Sequence, residues 1–113
     1  MKVVNKSSVK TIEDVCGVIR ELYNSRNLSI SLATITGRSV PHMHKKMEEI
    51  YYVVKGSGKI TIGSDSSEIK EGDLVSIPKN KFHYVETESN ESIEVIVATH
   101  PKFDTNDVIK KTS

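Results

Sequence analysis

The sequence predicts an all-β fold, a barrel or sandwich of short strands, and three observations carry that expectation. Apolar and β-branched residues fall in short runs, several of them alternating with polar residues at the period of a strand. Glycine, asparagine, aspartate, serine and proline punctuate those runs at regular intervals, as in sandwiches and barrels. A chain of 113 residues, 36% hydrophobic and 27% charged, suits one globular domain with a single core.

The elements follow in order. The stretch 11–23 opens with charges and is interrupted by Gly17, whose cost inside a helix favours a strand from Val18 to Tyr23. Residues 28–35 alternate apolar and small polar side chains at first, the pattern of a half-buried strand. Residues 49–54 are aromatic and β-branched, which suits a strand buried on both faces. Gly56, Ser57 and Gly58 end it and start a hairpin into 59–62, and 63–66 turns the chain again. Gly72 and Asp73 precede a strand at 74–77, Pro78 to Asn80 break it, and 82–85 follows. A polar loop over 86–91 leads to the last strong strand, 93–98. Residues 104–111 open with capping side chains and end on lysines, which predicts a brief helical turn.

Composition excludes several functions. The net charge is +1 and the lysines are scattered, without the basic stripe that nucleic acid requires. No apolar run approaches the roughly 18 residues of a membrane span. The first residues lack the apolar stretch of a secretory signal, so a cytoplasmic location is expected. The single cysteine, Cys16, excludes an internal disulfide and a cysteine-rich zinc cluster, and is expected to be a buried or half-buried thiol.

Histidine placement points to chemistry. The chain has four histidines. His42 and His44 are two apart, so on a strand both rings enter one space. A loop over 45–48 returns the chain so that Glu49 reaches the same space, and His83, after the 78–80 turn, closes it from a third strand. Three imidazoles and a carboxylate suit a divalent transition ion (iron, manganese, nickel, cobalt, copper or zinc) without selecting among them. Glu48 competes with Glu49, but neighbouring strand residues face opposite ways, so only one of the two enters the interior. His100, at a strand end, is expected to be a bystander.

These residues give the chain a resemblance to the cupin superfamily. Gly37, His42-Met43-His44, Glu49 and Gly56 match its first motif, and the six-residue gap to Gly56 selects Glu49. Gly72, Pro78, Asn80, His83 and Thr87 match the second, with Asn80 in place of a turn glycine and Thr87 in place of an asparagine. The resemblance spans roughly Leu28 to Pro101 and implies a jelly-roll (double-stranded β-helix) barrel of the small single-domain type, commonly dimeric, with His42, His44, Glu49 and His83 around one metal ion. The expected organisation is an N-terminal strand segment over 1–27 that packs on a partner subunit, a barrel over 28–101, and a tail or short helical turn over 102–113.

A divalent ion and one carboxylate leave a formal charge of +1, which favours small anionic or chelating oxygenated ligands. Alternation from Glu49 puts Tyr51 and Val53 on the cavity side, with Tyr51 as a candidate donor to bound substrate, and Tyr52 and Val54 outside. Phe82 and Tyr84 are expected in the core or an interface, and Arg38, Lys45 and Lys46 near the barrel mouth. Three readings remain: a metal-dependent isomerase, decarboxylase, lyase or dioxygenase; a ligand-binding or sensory module; and a structural barrel with vestigial ligands.

Overall fold

The computed structural model describes residues 1–112. In chain order its strands are β1 (Ile12–Asp14), β2 (Gly17–Asn24), β3 (Ser29–Thr36), β4 (His42–Met43), β5 (Glu48–Lys55) and β6 (Ser57–Ile62). They continue as β7 (Asp65–Lys70), β8 (Leu74–Ile77), β9 (His83–Glu86), β10 (Ser92–His100) and β11 (Ile109–Lys110). The strands form a six-stranded sheet, β1-β2-β3-β10-β5-β8, and a five-stranded sheet, β11-β4-β9-β6-β7. The inner faces of the two sheets enclose one core, the jelly-roll arrangement that the motifs imply. Among the described residues no helix is long and apolar enough to cross a membrane.

Alternation sets which residues reach the core. β5 buries Glu49, Tyr51 and Val53 and turns Glu48, Ile50 and Tyr52 outward. This corrects the expectation of a strand buried on both faces: Ile50 is 38% and Tyr52 43% exposed, because nothing among the described residues covers the outer face of this sheet there. Val53, Ile93, Val95 and Ile35 from one sheet meet Ile60 and Val85 from the other. Phe82 and Tyr84 are half-buried outside the core, with the Arg38 guanidinium 4.2 Å from the centre of the Tyr84 ring.

Two glycines hold positions that no other residue fits. Gly17, which follows the turn between β1 and β2, has φ +102, and a Cβ there would lie 2.5 Å from the Thr34 carbonyl oxygen. That turn sends Val15 and Cys16 into the interior. The motif glycine Gly56 has φ +84, and a Cβ would lie 2.6 Å from the Ser92 carbonyl oxygen.

The C-terminal segment does more than form a turn. A single 3-10 turn spans Thr105–Asp107, capped by the Asp104 carboxylate, which accepts the Asn106 N–H at 2.9 Å. Beyond it, β11 pairs with β4 and sets Lys110 opposite His42. The strand expected at His42 and His44 is present as the two-residue β4, with His44 just beyond its end, whereas β11, also two residues long, and β7 (DSSEIK), mostly polar and exposed, carry no strand signal in the sequence.

Candidate metal centre

Both sheets contribute to one buried cluster. β4 carries His42 directly opposite His83 of β9 in the five-stranded sheet. His44 follows β4, and Glu49 enters from β5 in the six-stranded sheet. The four side chains are 0–3% exposed. Each offers one donor atom, and those atoms all lie within 4.8 Å of one another.

Backbone carbonyls orient the rings. Nδ1 of His42 lies 2.7 Å from the Val40 oxygen, that of His44 2.8 Å from the Asp107 oxygen, and that of His83 3.2 Å from the Lys81 oxygen. A carbonyl only accepts, so Nδ1 carries a proton in each ring, and Nε2 is the nitrogen left to meet a metal ion or, in the metal-free chain, a proton shared with Glu49. The Glu49 Oε1 lies 3.1 Å from His83 Nε2 and 3.4 Å from His44 Nε2. Neither approach has hydrogen-bond alignment, and all three atoms are buried without a partner. Acceptors converging in a buried space repel unless a cation sits among them. Three imidazoles and a carboxylate fit a divalent transition ion in that role.

Burial, then the neighbouring His83, lowers the pKa of His42 to about 4, so its ring is neutral near pH 7. Burial opposes ionisation of Glu49, yet His44 and His83 outweigh it and bring its carboxyl to about 2. Burial also lowers His44, but the Glu49 carboxylate outweighs it and raises the pKa. Burial pushes up both the Cys16 thiol and the Tyr51 phenol, which sit 3.6 Å apart.

The other anticipated positions divide clearly. Tyr51 is buried and faces the interior, its hydroxyl near Cys16. Cys16 Sγ lies 3.7 Å from His42 Nε2. Glu48 and His100 are exposed and face each other in register outside the cluster. Thr87 accepts the Gly37 N–H at 2.8 Å and donates to the Glu91 carbonyl at 2.8 Å, so it fastens the turn at the end of the second motif. Asn80, at φ 66, donates its N–H to the His44 carbonyl at 2.7 Å.

Sequence reasoning missed Asp107. Its carboxylate accepts the backbone N–H groups of Lys45, Lys46 and Met47, each at 2.9 Å, and its carbonyl holds His44. It thereby shapes the loop between His44 and Glu49. The signal that points to such a residue is indirect: a tight buried loop leaves backbone amides that need an acceptor from elsewhere.

A cavity of about 600 Å³ opens onto the cluster at Glu49. Buried Cys16, Ser31 and Val97 line it, half-buried Ile19 and Phe103 add apolar wall, and Ile12, 61% exposed, stands at its edge. Its rim carries Glu13, Asp14, Glu21, Asp104 and Lys102. Arg38, Lys45 and Lys46, expected near the mouth, do not line it.

The comparisons agree with this fold. The polyketide cyclase RemF from Streptomyces resistomycificus superposes with a TM-score of 0.83 at 19% identity, over 100% of this chain and 87% of that one. The nucleoside dehydratase Pac13 of Streptomyces gives a TM-score of 0.83 at 16% identity, over 98% of this chain and 91% of that one. At such identities the likeness is one of fold. An uncharacterized protein of Methanocaldococcus jannaschii is 27% identical over 97 residues, 80% of this chain and 78% of its own length. The cupin-domain family profile matches residues 31–99, which takes in both motifs, and the chain belongs to the cupin family.

Proposed function

We propose that the chain holds one divalent transition ion through His42, His44, Glu49 and His83 and uses it to bind or transform a small, oxygenated, chelating molecule. The observation that supports this reading is the convergence of buried, partnerless acceptors on one point beneath an open cavity. When bound, the ion supplies Lewis-acid polarisation and a template for oxygen ligands. The chain's own groups do the rest. Carbonyls orient each imidazole, and Asp107 sets the loop between His44 and Glu49. Tyr51 is the candidate donor to a bound oxygen, since its phenol keeps its proton at neutral pH.

That RemF is a cyclase and Pac13 a dehydratase supports an enzymatic reading. One observation favours a ligand-binding module instead. Cys16 and Tyr51, the buried groups beside the cluster, both hold their protons near pH 7, so neither serves as a general base.

Protein purified from metal-replete medium is expected to contain about one divalent ion per chain by elemental analysis. A content near zero, unchanged on adding metal to the folded apoprotein, contradicts the proposal.

We also propose a homodimer through the outer face of the six-stranded sheet. Ile96, Tyr52 and Leu74 stand side by side in register on three adjacent strands, and Tyr52 and Leu74 are 43% and 60% exposed. Light scattering should give twice the chain mass, and Tyr52→Glu should return the monomer. A wild-type monomer at micromolar concentration overturns it.

A further inference from the structure

Resting on the metal-centre reading, we propose that the cavity selects a chelating ligand with a neutral or cationic tail and disfavours one with an anionic tail. The formal charge at the ion points the other way: a divalent cation with one carboxylate leaves +1, which favours anions. The rim of the same cavity carries the opposite charge. Glu13, Asp14, Glu21 and Asp104 set four carboxylates against the single ammonium of Lys102, a net charge of −3.

The acidic rim marks a ligand path because of what lies beneath it. Glu49 lines the same cavity, is 3% exposed, and has an oxygen without a hydrogen-bond partner. Among the described residues no other basic side chain lines the cavity to offset the rim. Arg38 stacks over Tyr84, and the backbone amides of Lys45 and Lys46 bind Asp107 while their side chains are exposed.

The cavity therefore has three zones along its depth. Its floor takes oxygen donors, its half-buried apolar walls take a short carbon chain against Ile19 and Phe103, and its mouth attracts positive charge. A ligand with a chelating head and an ammonium or hydroxyl tail matches all three. A dicarboxylate satisfies the floor and is repelled at the mouth. Charges lining a low-dielectric cleft focus their field there and are weakened by salt.

Two hydroxamates test this. Both bind an ion through the same two oxygens, and their short alkyl chains of equal length end in an ammonium or a carboxylate. Calorimetry on zinc-loaded protein at low salt should show the ammonium form binding about tenfold more tightly, with the gap closing at high salt. The double variant Glu13→Gln/Glu21→Gln should shrink the gap while zinc content stays unchanged. Glutamine keeps the acceptor that Asn24 uses at position 21. Equal or tighter binding of the carboxylate form overturns the charge preference and leaves the metal centre intact. Binding of neither probe to protein that carries zinc also overturns this inference alone. Failure to take up zinc at all sinks the metal-centre reading with it.

Discussion

The two ends of the barrel are built by the same strands and obey opposite rules. The inward row of β5 runs from Glu49 through Tyr51 to Val53. That of β10 runs from Thr99 through Val97 and Val95 to Ile93, and that of β3 from Ser29 and Ser31 to Ala33 and Ile35. Register keeps the change of character aligned: Thr99 lies opposite both Ser29 and Glu49, whereas Val95 lies opposite both Ala33 and Val53. One end is dry, with Val53, Ile93 and Val95 fully buried. The other buries three imidazoles and a carboxylate, three of whose polar atoms have no partner. A buried unsatisfied polar group opposes folding by about 1–3 kcal/mol. The contrast assigns stability to the dry end and chemistry to the polar end, the usual division when a site is kept at some expense in stability.

Substitutions break or sharpen this comparison. The largest effect is expected at the polar end. Single alanine replacements of His42, His44, Glu49 or His83 should lower metal affinity by more than about a hundredfold, beyond what supporting residues contribute. Apoprotein stability should fall little. Glu48→Ala and His100→Ala should leave affinity unchanged, as titration with a competing chelator would register.

Ile93→Ala at the dry end should do the reverse. Unfolding should become easier by about 2–5 kcal/mol in urea titrations, with affinity per folded molecule preserved.

Asp107 joins the two roles. Asp107→Ala should lower metal affinity by about 10–100-fold, because His44 and its loop lose their anchor. Its pH signature is specific. Burial raises the Asp107 carboxyl, but the amides of Met47, Lys45 and Lys46 outweigh it and hold the pKa below the usual value. The stabilisation is complete above the unfolded-state value of about 3.9 and disappears as pH falls through the lower folded value. Acid titration of the apoprotein should show that loss in wild type and not in Asp107→Asn.

The smallest expected effect is at the 78–80 turn. Asn80→Gly should be neutral or stabilising by less than about 1 kcal/mol, since φ 66 suits glycine better. Thermal melts would measure it.

The sequence displayed the polar end better than the fold around it. Histidines at 42, 44 and 83 with Glu49 stood out because they interrupt β-period stretches at motif spacing, and the structure brings all four together. Gly56 and Asn80 were readable as turn residues because positive φ restricts residue choice. The exposure of the outer face of β5 is not legible in the sequence, because an apolar strand face carries no mark of whether a chain covers it. Asp107 was invisible for a different reason. Its partners are backbone amides about sixty residues away, and amides leave no trace in residue identity. The acidic rim was equally hidden, since Glu13, Glu21 and Asp104 meet only when β1, β2 and the C-terminal turn assemble.

The central claim is that one divalent ion sits among three imidazole nitrogens and the Glu49 carboxylate. X-ray absorption of cobalt-reconstituted protein tests it most directly. The account predicts one cobalt per chain, a first shell of nitrogen and oxygen at about 2.0–2.2 Å, and the outer-shell scattering of about three imidazoles, lost in part in His83→Ala. A shell without imidazole scattering, or one unchanged in that variant, would contradict it.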